Sequence, residues 1–211
     1  DDKIFAGAGD DTINAGDGND IVYGEDGDDK IYAGSGADIL EGGKGNDYLN
    51  GGYGGDTYIF SRGDGQDTIE DYSGGYEGID KLIFKDINRE DVIFSRESEN
   101  DITILVKNSN DKIKIKYGYD SYRAIEEIHF ANGEVMSYEE MMKQPFEYYG
   151  DEKDNTINTY STDDKIFAGA GNDRIHAGYG NDILVVGKGN DYLQGYYGAD
   201  TYIFSRGDGQ D

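Results

Sequence analysis

The 211-residue chain has no cysteine, no tryptophan, one proline and two histidines. Without cysteine there are no disulfides, no thiolate metal ligands and no thiol nucleophile. Neither an H-E-x-x-H nor a G-x-S-x-G motif occurs, so zinc-protease and serine-hydrolase chemistry have no anchor. Basic residues are scarce: 19 Lys and Arg stand against 45 Asp and Glu, for a net charge of −26 and a pI near 4.1. Such a charge makes nucleic acid and anionic membrane surfaces poor partners. No apolar run approaches the length of a bilayer span. What is abundant is glycine, with 33 residues, and aspartate.

The aspartates keep a nine-residue interval. Asp2, Asp11, Asp20, Asp29, Asp38, Asp47 and Asp56 form one series, and Asp164, Asp173, Asp182, Asp191 and Asp200 a second. Around Asp47 the chain reads GGKGNDYLN, and around Asp56 GGYGGDTYI. The unit is G-G-x-G-x-D-x-U-x, where U is a large apolar residue: Ile4, Ile13, Val22, Ile31, Leu40, Leu49 and Tyr58 in the first series. Glycine permits positive φ, so the six-residue part can bend tightly and bare its carbonyls. The x-U-x part then runs as a short strand with its single U side chain inward. Two such units close one coil of eighteen residues. Asp11, Asp29 and Asp47 stack along one edge and Asp20, Asp38 and Asp56 along the other. Like charges a few ångströms apart in a partly desolvated row repel strongly. A hard divalent cation ringed by carboxylate and carbonyl oxygens relieves that repulsion.

This unit resembles the calcium-binding nonapeptide of the RTX (repeats-in-toxin) exoproteins. The resemblance implies an all-β fold: a right-handed parallel β-roll in two blocks, separated by a small antiparallel β-rich module with one short helix. It implies calcium, several ions of it, between successive turns. The implied carboxylate ligands are Asp11, Asp20, Asp29, Asp38, Asp47, Asp56, Asp173, Asp182, Asp191 and Asp200. The turn glycines of the same motif complete the implied set: Gly7, Gly9, Gly16, Gly18, Gly27, Gly34, Gly36, Gly43, Gly45, Gly52 and Gly54 in the first block. In the second they are Gly169, Gly171, Gly178, Gly180, Gly187, Gly189 and Gly198. A glycine-rich acidic chain is also expected to be disordered when calcium is absent.

Residues 57–71 resemble the Y-x-F-x-x-G-D-G-x-D segment that closes RTX repeats, with aromatic side chains to plug the open end of the roll. Asp64 and Asp67 there are read either as ligands of a last calcium or as solvated turn acids. Domain boundaries are placed at 1–71, 72–145 and 146–211. The first part carries 18 acids and 4 bases, the second 15 and 10, the third 12 and 5, so the excess acid lies in the repeat blocks. In the middle part Ile102, Ile104 and Val106, then Ile113, Ile115 and Tyr117, alternate with polar residues as half-buried strands do. Residues 79–84 and 125–130 read as further strands, and 79–135 as an antiparallel set. Ser137 and Glu140 form a capping box that opens a helix over Tyr138 to Lys143. These segments resemble the haemolysin-type calcium-binding-related domain. Lys112, Lys114 and Lys116 read as a solvated strand face or a polyanion site. Residues 146–162 read as a linker running into a degenerate repeat, with Asn155 and Ile157 in the Asp and U positions and Thr162 in place of glycine. No strong calcium site is expected there.

DDKIFAGAG at 1–9 returns at 163–171, and TYIFSRGDGQD at 57–67 returns at 201–211. The two offsets differ by one coil, so the second block reads as a shortened copy of the first. The register is already running at Asp1, and the chain is expected to be a piece of a longer array. The expected function is non-enzymatic: a calcium-driven folding module of a large bacterial protein, secreted or at the cell surface, exported with the help of type I secretion machinery. Two other readings stand beside it. One is a surface adhesin or S-layer segment that binds glycans, with Tyr53, Tyr179, Tyr196 and Tyr197 in turn positions suited to stacking on sugars. The other is the accessory repeat region of a secreted toxin or hydrolase.

Overall fold

A computed structural model describes residues 1–71, 78–96, 98, 100–118 and 125–211. Residues 72–77, with which the sequence opens its middle part, lie outside the described residues. Two compact units divide the chain: Asp1–Ile93 with Asn100–Met141, and Phe94–Glu99 with Met142–Asp211.

In the first unit each nonapeptide supplies one strand, β1 (Lys3–Ala8), β2 (Thr12–Asp17), β3 (Ile21–Asp26), β4 (Lys30–Ser35), β5 (Ile39–Lys44), β6 (Tyr48–Tyr53) and β7 (Thr57–Phe60), and the closing segment adds β8 (Gln66–Glu70). Successive strands lie in opposite sheets. β1 pairs β3 in parallel with Lys3 opposite Ile21, and β2 pairs β4 with Thr12 opposite Lys30, a register step of one eighteen-residue coil. This is the parallel β-roll expected from the repeat. Val22, Ile31, Leu40, Leu49, Tyr58 and Ile69 form the inner stack, none more than 2% exposed. Each such side chain contributes roughly 1.5–3 kcal/mol of burial. The interior is two residues wide, not one. The first residue of the unit also points inward, as the fully buried Ala33 shows. It lies two residues beyond U, on the same face of the strand.

The roll does not stop at β8. β9 (Lys81–Phe84) pairs β7 in parallel, and β13 (Glu127–His129) pairs β9 in parallel. β12 (Lys112–Lys116) pairs β8 in parallel. The antiparallel expectation for 79–135 therefore holds only for the outer pairs, β11 (Ile102–Val106) with β12 and β13 with β14 (Val135–Ser137). A further strand, β10 (Val92–Ser95), follows a short 3₁₀ turn. Alternation has the same period of two in both kinds of sheet, so it could not tell them apart. Tyr117 departs from the expected inward series: it lies beyond β12 in the left-handed region, φ 54°, and is exposed. Lys114 and Lys116 form ion pairs with Asp101 (3.0 Å) and Glu70 (2.7 Å). The capping box is present, with Ser137 N–H donating to Glu140 Oε2 and Glu140 N–H to Ser137 Oγ, and helix α1 spans Tyr138–Met142.

The second unit repeats the plan with shorter strands. One sheet runs β15 (Glu147–Tyr149), β17 (Lys165–Phe167), β19 (Ile183–Val185), β21 (Thr201–Ile203); the other runs β16 (Thr156–Asn158), β18 (Arg174–His176), β20 (Tyr192–Gln194). Residues 147–149, expected to be linker, are a strand of the roll. Phe146 stands eighteen residues before Asp164, in the aspartate position, and is fully buried; Tyr148 stands in the apolar position and is buried too. No helix among the described residues is long and apolar enough to cross a membrane.

Candidate metal centre

Every turn glycine named from the sequence has positive φ, between 87° and 145°. Gly36 shows why glycine is needed. At φ 144° a Cβ would lie 2.1 Å from the Gly18 carbonyl oxygen in the coil before. The turns thus stack backbone on backbone, with no room for a side chain between coils. Glu25 and Tyr196 take the same left-handed conformation without being glycine.

The aspartates of the sixth position are held alike. The Oδ1 of each accepts the backbone N–H of the aspartate one coil earlier: Asp2 to Asp20 (2.6 Å), Asp11 to Asp29 (2.8 Å), Asp20 to Asp38 (2.7 Å), Asp29 to Asp47 (2.8 Å) and Asp38 to Asp56 (2.9 Å). In the second unit Asp164 donates to Asp182, Asp173 to Asp191 and Asp182 to Asp200. Asn155, in the degenerate repeat, donates to Asp173 in the same way (2.8 Å).

The other carboxylate oxygen has no such partner. Oδ2 of Asp20, Asp29, Asp38, Asp47 and Asp56, and of Asp164, Asp173, Asp182 and Asp191, is buried and accepts no hydrogen bond. A buried acceptor left unsatisfied costs about 1–3 kcal/mol, and more when charged. Nine of them in register describe a set of oxygens arranged for cations. The surroundings agree. Asp29 Oδ2 and the Gly42 carbonyl oxygen both face the spot where Gly24 lacks a side chain, 2.3 and 2.4 Å from a Cβ placed there. Burial, and then the neighbouring aspartates, push these carboxyls up: Asp47 and Asp164 to about 6, Asp182 to about 7 and Asp56 to about 8. Asp29, Asp38 and Asp191 are raised as well. Hard oxygen donors with carbonyls close by suit calcium.

Asp11 and Asp200 lie at the outer turns and are half-buried. Asp67 continues its row despite standing twenty residues after Asp47, whose N–H it accepts (3.0 Å), and is pushed up to about 8, first by burial. Asp64 closes a local turn, accepting the Ser61 N–H at 2.7 Å, and is pushed up to about 6 by burial. Thr162 donates to Asp164 Oδ1 (2.6 Å), so the threonine that replaces glycine tethers the first full aspartate of the second block.

Sequence reasoning missed three features. Asp164 belongs with the buried ligand candidates. The row of Asp56 also runs on: Asp56 N–H donates to Asp80 Oδ1, and Asp80 N–H to Glu126 Oε2, each at 2.7 Å. The signal was present, since Asp80-Lys81-Leu82 and Glu126-Glu127-Ile128 repeat acid-x-U. The third is a second ladder from position five. Asp10 Oδ1 accepts the Asp28 N–H, Asp28 Oδ1 the Asn46 N–H, and Asp163 Oδ1 the Asn181 N–H. Asp or Asn stands there in most repeats, with Ala37, Gly55 and Ala199 the exceptions, a pattern legible but unread.

The fold and its rows of buried acids define a calcium-binding parallel β-roll. The RTX calcium-binding nonapeptide repeat model matches residues 1–31, 32–69, 149–184 and 176–210, more than half of the chain, and the haemolysin-type calcium binding protein related domain matches 101–140. The chain belongs to the RTX calcium-binding repeat family, and its repeats bind calcium. RTX repeat proteins are typically extracellular. No curated protein sequence matches the chain. Among solved structures it is similar to the AlgE6R3 subunit from the Azotobacter vinelandii mannuronan C5-epimerase, at 20% identity and a TM-score of 0.46, over 62% of this chain and 83% of that one.

Proposed function

We propose that the chain is a calcium-driven folding module of a larger secreted protein, extended and exportable without calcium and folded where calcium is plentiful. The observation that carries this reading is the row of buried, unpartnered Oδ2 atoms. In the metal-free fold each adds desolvated negative charge beside its neighbours, against a net charge of −26. Bound calcium supplies the positive charge that these oxygens lack. Asp20, Asp29, Asp38, Asp47, Asp56, Asp164, Asp173, Asp182 and Asp191 are the first ligands under this reading. Asp11, Asp67 and Asp200 act at the ends, with turn carbonyls completing the shells. Export through type I machinery fits a chain that has no disulfide to form and stays unfolded in a cytosol poor in calcium. The two histidines are engaged locally: His129 is paired with Glu127 at 2.7 Å and His176 contacts Tyr196.

A calcium titration of the full chain followed by circular dichroism tests the proposal. The β signal should be weak in chelator and grow cooperatively toward millimolar calcium, the range of extracellular modules. Magnesium, which demands tighter octahedral geometry, should not replace it. A β-rich spectrum indifferent to chelator refutes the reading. Glycan binding is supported by a separate observation. Tyr179 and Tyr197, 61% and 65% exposed, stack with centroids 4.9 Å apart. Binding on a glycan array that is lost in Tyr179→Ala and Tyr197→Ala is the outcome expected of an adhesive surface.

A further inference from the structure

We propose that Asp56, Asp71 and Asp80 together hold one hard divalent cation at the end of the Asp56 row, a site that differs from those between regular turns by its third carboxylate, Asp71. Each of the three offers an oxygen, and these oxygens lie within 4.8 Å of one another. All three residues are fully buried. The inference rests on the calcium reading of the repeats and adds one ligand, Asp71, from outside their rows.

Asp71 is the unusual member. The register pairs Leu49 with Ile69, which sets Asp71 opposite Gly51 of the previous coil. A carboxylate therefore stands where that coil has no side chain. It is held in place by Tyr58, the aromatic U residue of the last regular repeat. The Tyr58 oxygen accepts the Gly51 N–H at 2.8 Å, and its own proton goes to Asp71 Oδ2. Asp71 thus serves as an acceptor, the form a cation requires. Asp80, at the far end of the 71–80 connection, is oriented by the Asp56 N–H on its Oδ1.

Asp56 supplies the oxygen that still lacks a partner. Its Oδ1 accepts the Asp38 N–H, while its Oδ2 is buried and has no partner. A Cβ placed on Gly51 would lie 2.1 Å from that Oδ2 and 2.6 Å from the Tyr58 oxygen. The unpartnered oxygen therefore faces the same point as the phenol that holds Asp71. Three carboxylates this close in a desolvated pocket carry a net −3, and one shared proton leaves −2. A divalent cation leaves −1 and meets the preference of calcium for oxygen ligands of high charge.

Regular turns bring up one aspartate per repeat. With three carboxylates, this site should hold calcium more tightly than they do, half-filling at a calcium concentration at least about tenfold lower. It would tie the closing segment to the first strand beyond it, so the last regular coil would order first.

Native mass spectrometry of the full chain in calcium, stripped stepwise by chelator, reads this directly. Wild type should retain one ion after the others have gone. Asp71→Asn should bind one ion fewer at saturation and lose that last-retained species. An unchanged ion count and stripping order in Asp71→Asn would overturn the proposal. Should Asp71→Asn fail to fold, crystals of the wild-type chain grown with terbium(III) in place of calcium give a second test. An anomalous peak among the three carboxylates supports the site. Peaks along the repeat rows with none at the cluster overturn it and leave the repeat reading standing. No peak anywhere overturns both.

Discussion

Replacing Asp38 with asparagine separates the two jobs of a row aspartate. Asparagine retains an oxygen to accept the Asp20 N–H, now 2.7 Å from Oδ1, and nearly the same volume. It removes the charge on the buried, unpartnered Oδ2. The folded state then loses one anionic ligand. A site filled at a hundred times its dissociation constant contributes about 2.7 kcal/mol, so Asp38→Asn should cost about that much in saturating calcium. For a unit of this size that is a fall in Tm of roughly 5–10 °C. Asp38→Ala should cost about 1–3 kcal/mol more, because the Asp20 N–H loses its acceptor in a buried place. Asp17→Asn, an exposed third-position acid, is the control for charge alone. Thermal unfolding by circular dichroism, in saturating and in limiting calcium, measures all three. The Asp38→Asn penalty should grow as calcium rises, and the Asp17→Asn change should not. Equal losses in Asp17→Asn and Asp38→Asn, or an Asp38→Asn penalty independent of calcium concentration, would refute the reasoning, since bulk charge rather than ligation would then control stability.

Three further outcomes are expected. Residues 200–204 should exchange amide hydrogens faster, and order at higher calcium, than residues 56–60, because Phe60 is 2% exposed and its copy Phe204 is 54% exposed; earlier protection of the second unit in a hydrogen-exchange calcium series would count against this. Acid should compete with calcium. The folded-state values of about 6 to 8 for Asp47, Asp182, Asp56 and Asp67 exceed the unfolded value near ~3.9, so the metal-free fold binds extra protons. Its stability is therefore greatest below about pH 4 and falls as pH rises toward 8, while the calcium midpoint rises as pH falls over the same window; a midpoint independent of pH contradicts it. Backbone strain should show with opposite signs. Glu25→Gly relieves a left-handed non-glycine residue at φ 80° and should add about 1 kcal/mol. Gly36→Ala meets the Gly18 carbonyl and should cost more than that, both read from thermal unfolding in calcium.

The sequence by itself determined the roll, the large apolar residues that face its interior and the rows of candidate ligands. The reason is that a solenoid places residue i beside residue i+18, so a one-dimensional period is already the three-dimensional contact map. Val22, Leu40 and Tyr58 could be stacked on paper, as could Asp20, Asp38 and Asp56. The capping box at Ser137 and Glu140 was equally legible, because its partners stand three residues apart. What the period could not say was decided by tertiary packing. β12 reaches β8 across 46 residues, and alternating side chains do not encode whether such a pairing is parallel. Phe146 hid a coil by standing where aspartate was sought, and its burial alone restores it. Asp71 and Asp80 have no place in the nine-residue register. Only the closing of the roll onto β9 carries them to Asp56, and the chemistry of that cluster comes from burial and proximity, which the order of residues along the chain does not contain.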